Sequence, residues 1–306
     1  MKIDVVVNVK SGVDSKSPEE YRSNLEQEFN KYLKENDKID FHIIKPENFI
    51  DQIKNICKNS RETVVAAGGD GTVSAVASMI AGTPVTLAVI PAGTFNNFAR
   101  DCGIPLEMPD AVRNIFYGNK DTIDTGKLNG RVFINNSSIG IYPHVVRYRK
   151  QLVHQLGYSK FPAMFAAMLK IFKRFPLYKV SMKAGNEKKR FKAPFVFVGN
   201  NTYNTELYRL GRRKNLKDGK LGVYYTKCTN RLCIFANAVK FLFNKLNTLE
   251  DFEKLEVKEL TLYPNKKKVS VSMDGEVVKM KSPLHYKIMT RSLNVVVPKN
   301  NMKMEE

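Results

Sequence analysis

The residues Gly68-Gly69-Asp70-Gly71-Thr72 follow an apolar run, Val64-Val65-Ala66-Ala67, and precede a helical pattern of Val73, Val76, Ala77 and Ile80. A strand, a glycine loop and a helix in that order present backbone N–H groups and a helix N-terminus to an anion. The glycines permit close approach of a phosphate because no Cβ intervenes. The spacing is neither that of the Walker loop nor G-x-G-x-x-G. Asp70 is the informative residue, because a carboxylate inside a phosphate cradle repels its ligand. It fits if a divalent cation bridges the two, or if it anchors a neighbouring backbone or ribose group. A tight strand-to-helix turn with Asp70 as N-cap is the plainer account.

A second loop repeats the arrangement. The run from Thr86 to Ile90 ends in Pro91-Ala92-Gly93-Thr94, and Phe95-Asn96-Asn97-Phe98-Ala99-Arg100-Asp101-Cys102 opens a helix with Gly103 at its C-cap. Two successive strand–loop–helix units place both loops at the carboxyl edge of one sheet, where ligands bind in open α/β folds. Thr94 offers a hydroxyl, and Asn96 or Asn97 an amide. Asn8-Val9-Lys10-Ser11-Gly12, after the first strand, reaches the same edge. Three polar or glycine loops on one edge favour a nucleotide site.

The elements that position these loops alternate strand and helix through the first half. Strands are expected at Val5 to Val9, Ile39 to Ile44, Thr63 to Ala67 and Val85 to Ile90. A helix follows the capping box Ser17-Pro18-Glu19-Glu20, with Tyr21, Leu25, Phe29, Tyr32 and Leu33 on one face. Another carries Phe49, Ile50, Ile53 and Cys57. Continuous apolar strands alternating with helices imply a parallel sheet covered on both faces. From about residue 125 the pattern becomes short strands, at Arg131 to Asn135, Tyr178 to Lys183, Ala193 to Val198, Leu221 to Thr226, Glu259 to Tyr263 and Lys268 to Met273. Turn signals separate them at Asn129-Gly130, Gly185-Asn186, Asp218-Gly219 and Asp274-Gly275, the pattern of an antiparallel β domain. Two apolar helical stretches, near residues 160–175 and 231–246, interrupt it. The expected division is an α/β domain over residues 1–126 and a β-sandwich domain over 127–289, with a last strand within 290–300 open to either domain.

Composition narrows the classes. The chain has 306 residues, 43% hydrophobic, with no run near the roughly 20 apolar residues of a membrane span. Met1-Lys2-Ile3-Asp4-Val5-Val6-Val7 reads as a buried strand and not as a signal-peptide core. The four cysteines, Cys57, Cys102, Cys228 and Cys233, have no metal-ligand spacing and fit reduced thiols in the cytoplasm. The net charge of +20 draws nucleotides, nucleic acid or an anionic membrane face without choosing among them. No nucleic-acid-binding motif is present, and none is expected as partner.

The pair of loops, Gly68-Gly69-Asp70-Gly71-Thr72 and Pro91 to Arg100, resembles the diacylglycerol kinase catalytic domain. The whole chain is similar to the compact bacterial lipid kinase branch of that family. The similarity continues through Asn135-Asn136-Ser137-Ser138-Ile139-Gly140, Phe197-Val198-Gly199-Asn200-Asn201 and Asp274-Gly275-Glu276. The resemblance implies an N-terminal α/β domain like that of NAD kinase and a C-terminal β-sandwich closing over it, with ATP in the cleft. It implies that Asn8, Lys10, Ser11, Gly12, Gly68, Gly69, Asp70, Gly71, Thr72, Val73, Ser74, Gly93, Thr94 and Asn96 contact ATP. Asp274 would act as general base, with Glu276 beside it at nucleotide and metal. A structural Mg²⁺ would sit on the loop Asn215 to Lys220, held by the Asp218 carboxylate and by backbone carbonyls. The sequence departs from the family at Val9, where relatives carry Pro, at Ser74-Ala75 in place of Asn-Glu, and at Asn97 in place of Asp. Ile43-Ile44-Lys45-Pro46 offers no match for a threonine near the base.

Phosphoryl transfer needs a phosphate cradle, a cation and an oriented hydroxyl. The loops supply the first, Asp70 and Glu276 are placed to order Mg²⁺ with ATP oxygens, and Asp274 to accept the hydroxyl proton. A cation beside Asp274 would lower its pKa, making its task orientation as much as abstraction. Asp-Gly between alternating strands is also the commonest hairpin signal. Arg212-Arg213-Lys214 reads equally as a solvated charge run and as a contact for phosphates or headgroups. The two helical stretches, with Phe161, Met164, Phe165, Met168, Leu169 and Phe172 on one stripe and flanking lysines, read as core or as basic amphipathic helices on an anionic bilayer. The expected activity is ATP-dependent phosphorylation of a lipid hydroxyl by a cytoplasmic, peripherally membrane-associated protein, with a second copy of the chain as a further candidate partner. The alternatives are an NAD kinase-like enzyme and a non-catalytic nucleotide or lipid binder.

Overall fold

The computed structural model describes residues 1–8, 18–140, 177–185, 187–203, 213, 215–226 and 252–299. The expected helical stretches at 160–175 and 231–246, with Cys228 and Cys233, lie outside them. The chain forms two compact units, Met1–Thr125 with Met289–Glu306, and Gly126–Ile288.

The first unit runs β1 (Lys2–Val7), α1 (Pro18–Asn30), β2 (Lys38–Ile43), α2 (Phe49–Asn59), β3 (Thr63–Gly68), α3 (Asp70–Ile80), β4 (Thr86–Pro91), α4 (Asn97–Asp101) and α5 (Met108–Tyr117). The chain then leaves along β5 (Asn119–Leu128). Strands β2, β1, β3 and β4 lie side by side and all pair in parallel. Strands β3 and β4 are buried at every residue, as continuous apolar strands require when both faces are covered. Leu25 and Phe29 of α1 and Ala111, Val112 and Ile115 of α5 share one core with Val5, Val65, Ala67, Ala88 and Ile90. The alternate residues Val64, Ala66, Leu87 and Val89 are buried on the opposite face, where α3 packs on β3 and β4 and α2 packs on α3. This is the expected α/β architecture with a parallel sheet.

The second unit continues with β6 (Arg131–Phe133), β7 (Asn136–Gly140), β8 (Tyr178–Ala184), β9 (Glu187–Ala193), β10 (Phe195–Asn200) and β11 (Leu221–Thr226). It is completed by β12 (Phe252–Val257), β13 (Glu259–Pro264), β14 (Lys268–Met273), β15 (Glu276–Lys281) and β16 (Leu284–Val297), along which the chain returns to the first unit. One antiparallel sheet has the order β12-β11-β10-β7-β14-β15. In the other, β8 pairs with β9 and β13, and β13 with the start of β16. Both sheets feed one core that contains Val180, Met182, Val198, Val223, Leu262 and Val271, so the unit is an antiparallel sandwich. Phe191 of β9 stacks on Tyr225 of β11 across it, ring centroids 4.2 Å apart. Asn129 and Gly130 both take positive φ, 44° and 88°, as the two-residue turn between β5 and β6 requires.

Two strands differ from their sequence limits for local reasons. The strand expected over Arg131 to Asn135 stops at Phe133, because the next peptides turn their N–H groups to the Asp274 side chain. The last strand begins at Leu284, ahead of the expected 290–300. Its inward set, Leu284, Tyr286 and Ile288, changes parity to Leu293 and Val295. The change falls at Arg291, whose φ is 46° and whose N–H donates to Asp124 Oδ1 at 2.8 Å.

Phe29 is fully buried, with edge contacts to Phe41 at 5.6 Å and Phe116 at 5.8 Å. Phe29→Ala is expected to cost about 3–5 kcal/mol in the transition of the first unit, read by urea denaturation.

Candidate functional site

The two glycine loops meet backbone to backbone. A Cβ added to Gly93 would lie 2.7 Å from Cα of Gly69 and 2.8 Å from Asn96 Oδ1, a separation that no side chain survives. The Ala92 N–H donates to Gly68 O at 3.0 Å, one step beyond the β3–β4 ladder. A Cβ on Gly68 would meet Thr72 Oγ1 at 2.7 Å, so the buried threonine occupies the space that glycine leaves. Thr72 Oγ1 in turn accepts from Asn8 Nδ2 at 2.9 Å, and the Asn8 N–H donates to Ala67 O at 3.0 Å. The ends of β1, β3 and β4 are thereby tied together.

Asp70 anchors a neighbouring backbone, one of the roles its sequence left open. Gly69 is the N-cap of α3 and Asp70 its first residue. The Asp70 carboxylate reaches the second loop, where Oδ1 accepts the Phe98 N–H at 3.2 Å and Oδ2 the Asn97 amide at 3.5 Å. Phe98 lies in the first turn of α4, whose own N-cap, Asn96, makes no side-chain cap bond to it. The Asn96 amide instead closes its own turn, accepting from Gly93 N at 2.9 Å and donating to Gly93 O at 3.0 Å. Asp70 therefore caps a helix other than its own.

What remains open is the head of α3. The N–H groups of Asp70 and Gly71 have no acceptor among the described residues, as the first turn of a helix leaves them. Gly71 is exposed, and nothing lies within 4 Å of where its Cβ would be. Val73 does not take part: its side chain is in the core and its N–H donates to Gly69 O. Ser74 is half-buried and Thr94 exposed near the same loops. Lys10, Ser11 and Gly12 lie outside the described residues.

In the second unit, Asp274 and Gly275 form the β14–β15 turn, with φ of 47° and 83°. The side chain does more than turn the chain. Asp274 Oδ2 accepts the Ile134 N–H at 2.9 Å, and Oδ1 accepts those of Asn135 and Asn136 at 2.8 and 3.0 Å. The carbonyls of the same peptides are held from the other side. Arg213, outwardly part of a charged run, is buried and donates to Ile134 O and to Asn135 Oδ1. Asn200 Nδ2 donates to Ile134 O at 2.9 Å, and the Tyr203 hydroxyl to Asn135 O at 3.0 Å. Glu276 begins β15 and is exposed. Sequence reasoning missed Arg213, Asn200 and Tyr203 as a group; the signal was a polar Gly-Asn-Asn at the end of an apolar strand.

Asp218 is also engaged. Oδ1 accepts from Asn201 Nδ2 at 2.6 Å and Lys220 N–H at 3.1 Å, and Oδ2 from Thr202 N–H and hydroxyl at 3.1 and 2.9 Å. Four donors fill the acceptor positions of a carboxylate. Asn215 Oδ1 accepts from Lys217 N–H, and the Lys220 ammonium pairs with Glu256 at 3.2 Å. As folded, this loop does not fit a Mg²⁺ held by Asp218. Among the described residues no three His, Cys, Asp or Glu side chains converge for a metal ion. Nearby, burial pushes the Tyr224 phenol up to about 12. It stays protonated, accepts the Tyr203 N–H at 2.9 Å and donates to Tyr203 O at 3.3 Å.

Comparison with known proteins gives three findings. Residues 2–128 match the family described as the diacylglycerol kinase catalytic domain. Among relatives, an uncharacterized protein of Synechocystis is 26% identical over 273 residues, 83% of this chain and 61% of its own length. A "Probable lipid kinase YegS-like" of Pectobacterium atrosepticum is 43% identical over 26% of this chain and 28% of its own length. A diacylglycerol kinase of Staphylococcus saprophyticus is 40% identical over 26% of this chain and 27% of its own. The chain thus spans less than two thirds of these relatives' length. A crystal structure of a diacylglycerol kinase from Bacillus anthracis shares the fold, with a TM-score of 0.73 at 20% identity over 98% of each chain.

Gly93→Ala and Gly71→Ala are expected to separate. The first forces the two loops apart and should cost about 1–3 kcal/mol. The second adds a methyl to open space on a helix and should leave stability unchanged or raise it by up to about 1 kcal/mol, both read by thermal denaturation.

Proposed function

We propose that this chain, whose residues 2–128 match the diacylglycerol kinase catalytic domain family, transfers the γ-phosphoryl group of ATP to a hydroxyl of a lipid acceptor. The observation that carries the proposal is the head of α3. Two N–H groups there, without an acceptor among the described residues, border open space at Gly71, and the second loop fixes them in place. Anions bind at such helix N-termini through fixed dipoles. Asp70 tolerates the phosphates because its oxygens are already turned to the α4 N-terminus.

The acceptor oxygen forms a bond to the γ-phosphorus as the bridging bond to the β-phosphate breaks, and ADP leaves. The hydroxyl proton passes to Asp274 and then to solvent. Three backbone N–H groups hold the Asp274 oxygens, so its task is to orient the acceptor hydroxyl by accepting its hydrogen bond. That suits a loose transition state, in which positioning outweighs early proton removal. A divalent cation arriving with ATP would supply charge neutralisation across the phosphates. Such a cation needs only one or two protein carboxylates. Asp70, with acceptor capacity beyond its two donors, is the residue suited to hold it.

With labelled ATP, Mg²⁺ and mixed lipid vesicles, label is expected in the organic phase. Asp274→Asn should lower turnover by about 10²–10⁴-fold with ATP binding retained. Label entering only NADP, in a parallel reaction with NAD, would reassign the acceptor. The amide also faces an N–H donor, so this variant should lose about 1–3 kcal/mol of stability and be assayed well below its melting temperature. Gly71→Ala, folded normally, should weaken ATP binding about tenfold or more by occupying the phosphate space. Unchanged affinity would remove the head of α3 as the phosphate site.

A further inference from the structure

Strands β8 and β9 put like charges opposite one another. Lys179 faces Lys192, Lys183 faces Lys188, and Arg190 lies between, across from Ser181. By strand alternation all five cations point away from the core, to which Val180, Met182, Phe191 and Ala193 turn. All five are exposed, and none makes an ion pair among the described residues. Directly opposed like charges destabilise a sheet. Lysines on an edge strand commonly prevent pairing with other chains, and β9 is such an edge. That accounts for Lys188 and Lys192. It does not account for Lys179 and Lys183, because β8 is paired on both sides, by β9 and β13.

The same face carries apolar side chains. Tyr263 of β13 stands opposite Ser181 and is 44% exposed. Leu177, one residue before β8 and on the outward parity, is 39% exposed. Among the described residues these are the large exposed apolar side chains of the second unit. A phosphate backbone offers nothing to an exposed leucine. An anionic bilayer offers headgroups to the cations and an interface to Tyr and Leu.

We propose that the outward face of β8 and β9, bordered by Tyr263 and Leu177, docks the protein on an anionic lipid bilayer. The inference deepens the lipid-acceptor reading, since a bilayer would hold that acceptor, but its test is independent of turnover. The full-length protein is sedimented with phosphatidylcholine vesicles with and without phosphatidylglycerol. Binding is expected only with phosphatidylglycerol, and it should weaken as salt rises. Lys188→Gln with Lys192→Gln should weaken it about 30-fold, from about 5-fold for each cation, without lowering the melting temperature, because opposed charges are relieved. Lys54→Gln with Lys58→Gln on α2, equal in charge change, should leave binding intact. Tyr263→Ala with Leu177→Ala should reduce the binding that persists in high salt. Equal loss in the α2 variant, or binding indifferent to phosphatidylglycerol, would overturn the proposal. So would loss of a DNA duplex by the β9 variant with vesicle binding retained. Phosphoryl transfer to a soluble, short-chain acceptor is measured in the same preparations. Vesicle binding through this face without any transfer would remove the kinase reading and leave the docking surface standing.

Discussion

The backbone of Gly69 and the backbone of Gly93 touch, and the geometry of the two glycine loops depends on that contact. Two parallel strands end side by side, and each must turn into a helix within a few residues. With a side chain at Gly93 the two turns would have to move apart. With glycine they close, and Asp70 can then span from the head of α3 to the head of α4. A carboxylate at a helix N-terminus stabilises it by about 0.3–1 kcal/mol, and a cap bond by about as much again. Those are modest energies. Their effect is geometric: one side chain fixes the relative position of two helix N-termini, and the N–H groups of Asp70 and Gly71 have no acceptor among the described residues.

The second unit solves a different problem with the same economy of parts. A carboxylate and a guanidinium both lie against the peptides of residues 134–136, Asp274 on the N–H side and Arg213 on the carbonyl side. Burying either charge alone would be costly. Here each finds its partners in peptide dipoles, which polarise along the segment and strengthen both sets of bonds. The strand must be broken to make this possible, which is why β6 ends at Phe133 and β7 begins at Asn136. A hairpin turn would hold Asp274 in place without these bonds. The additional donors fix the direction of its carboxylate, and direction is what an orienting group has to supply.

The parts legible in the sequence were those written in local patterns. Thr63 to Gly68 and Thr86 to Pro91 announced themselves as buried strands, and the glycines after them as turns. Asn129-Gly130 and Asp274-Gly275 gave the hairpins. Strand β9 was not legible, because Glu187-Lys188-Lys189-Arg190-Phe191-Lys192-Ala193 turns only Phe191 and Ala193 toward the core and so lacks a two-residue apolar period. The α5 segment hid behind Pro109, which reads as a break and serves instead as a first-turn residue. Long-range partners were invisible in principle. Nothing local tells that Asp218 is saturated by Asn201 and Thr202, or that Arg213 is buried beneath residues 134–135. The resemblance therefore offered Asp218 as a metal ligand, and Arg213 read equally as part of a solvated run and as a contact for phosphates or headgroups.

The excess positive charge lies apart from the described residues of the two glycine loops. Among the described residues, Asn8, Gly68 to Ser74 and Gly93 to Asn97 carry no lysine or arginine. Attraction for an anion there comes from peptide N–H groups held rigidly at short range, where mobile ions screen poorly and the direction of approach is set. The unpaired cations of β8 and β9 act through long, mobile side chains in open water, where attraction reaches about one Debye length, some 8 Å at physiological salt, and is set by charge density. The first arrangement discriminates among anions by shape. The second gathers the protein to any surface dense in negative charge. The net charge of +20 therefore says little about the two glycine loops, whose described residues carry no lysine or arginine and one carboxylate, Asp70.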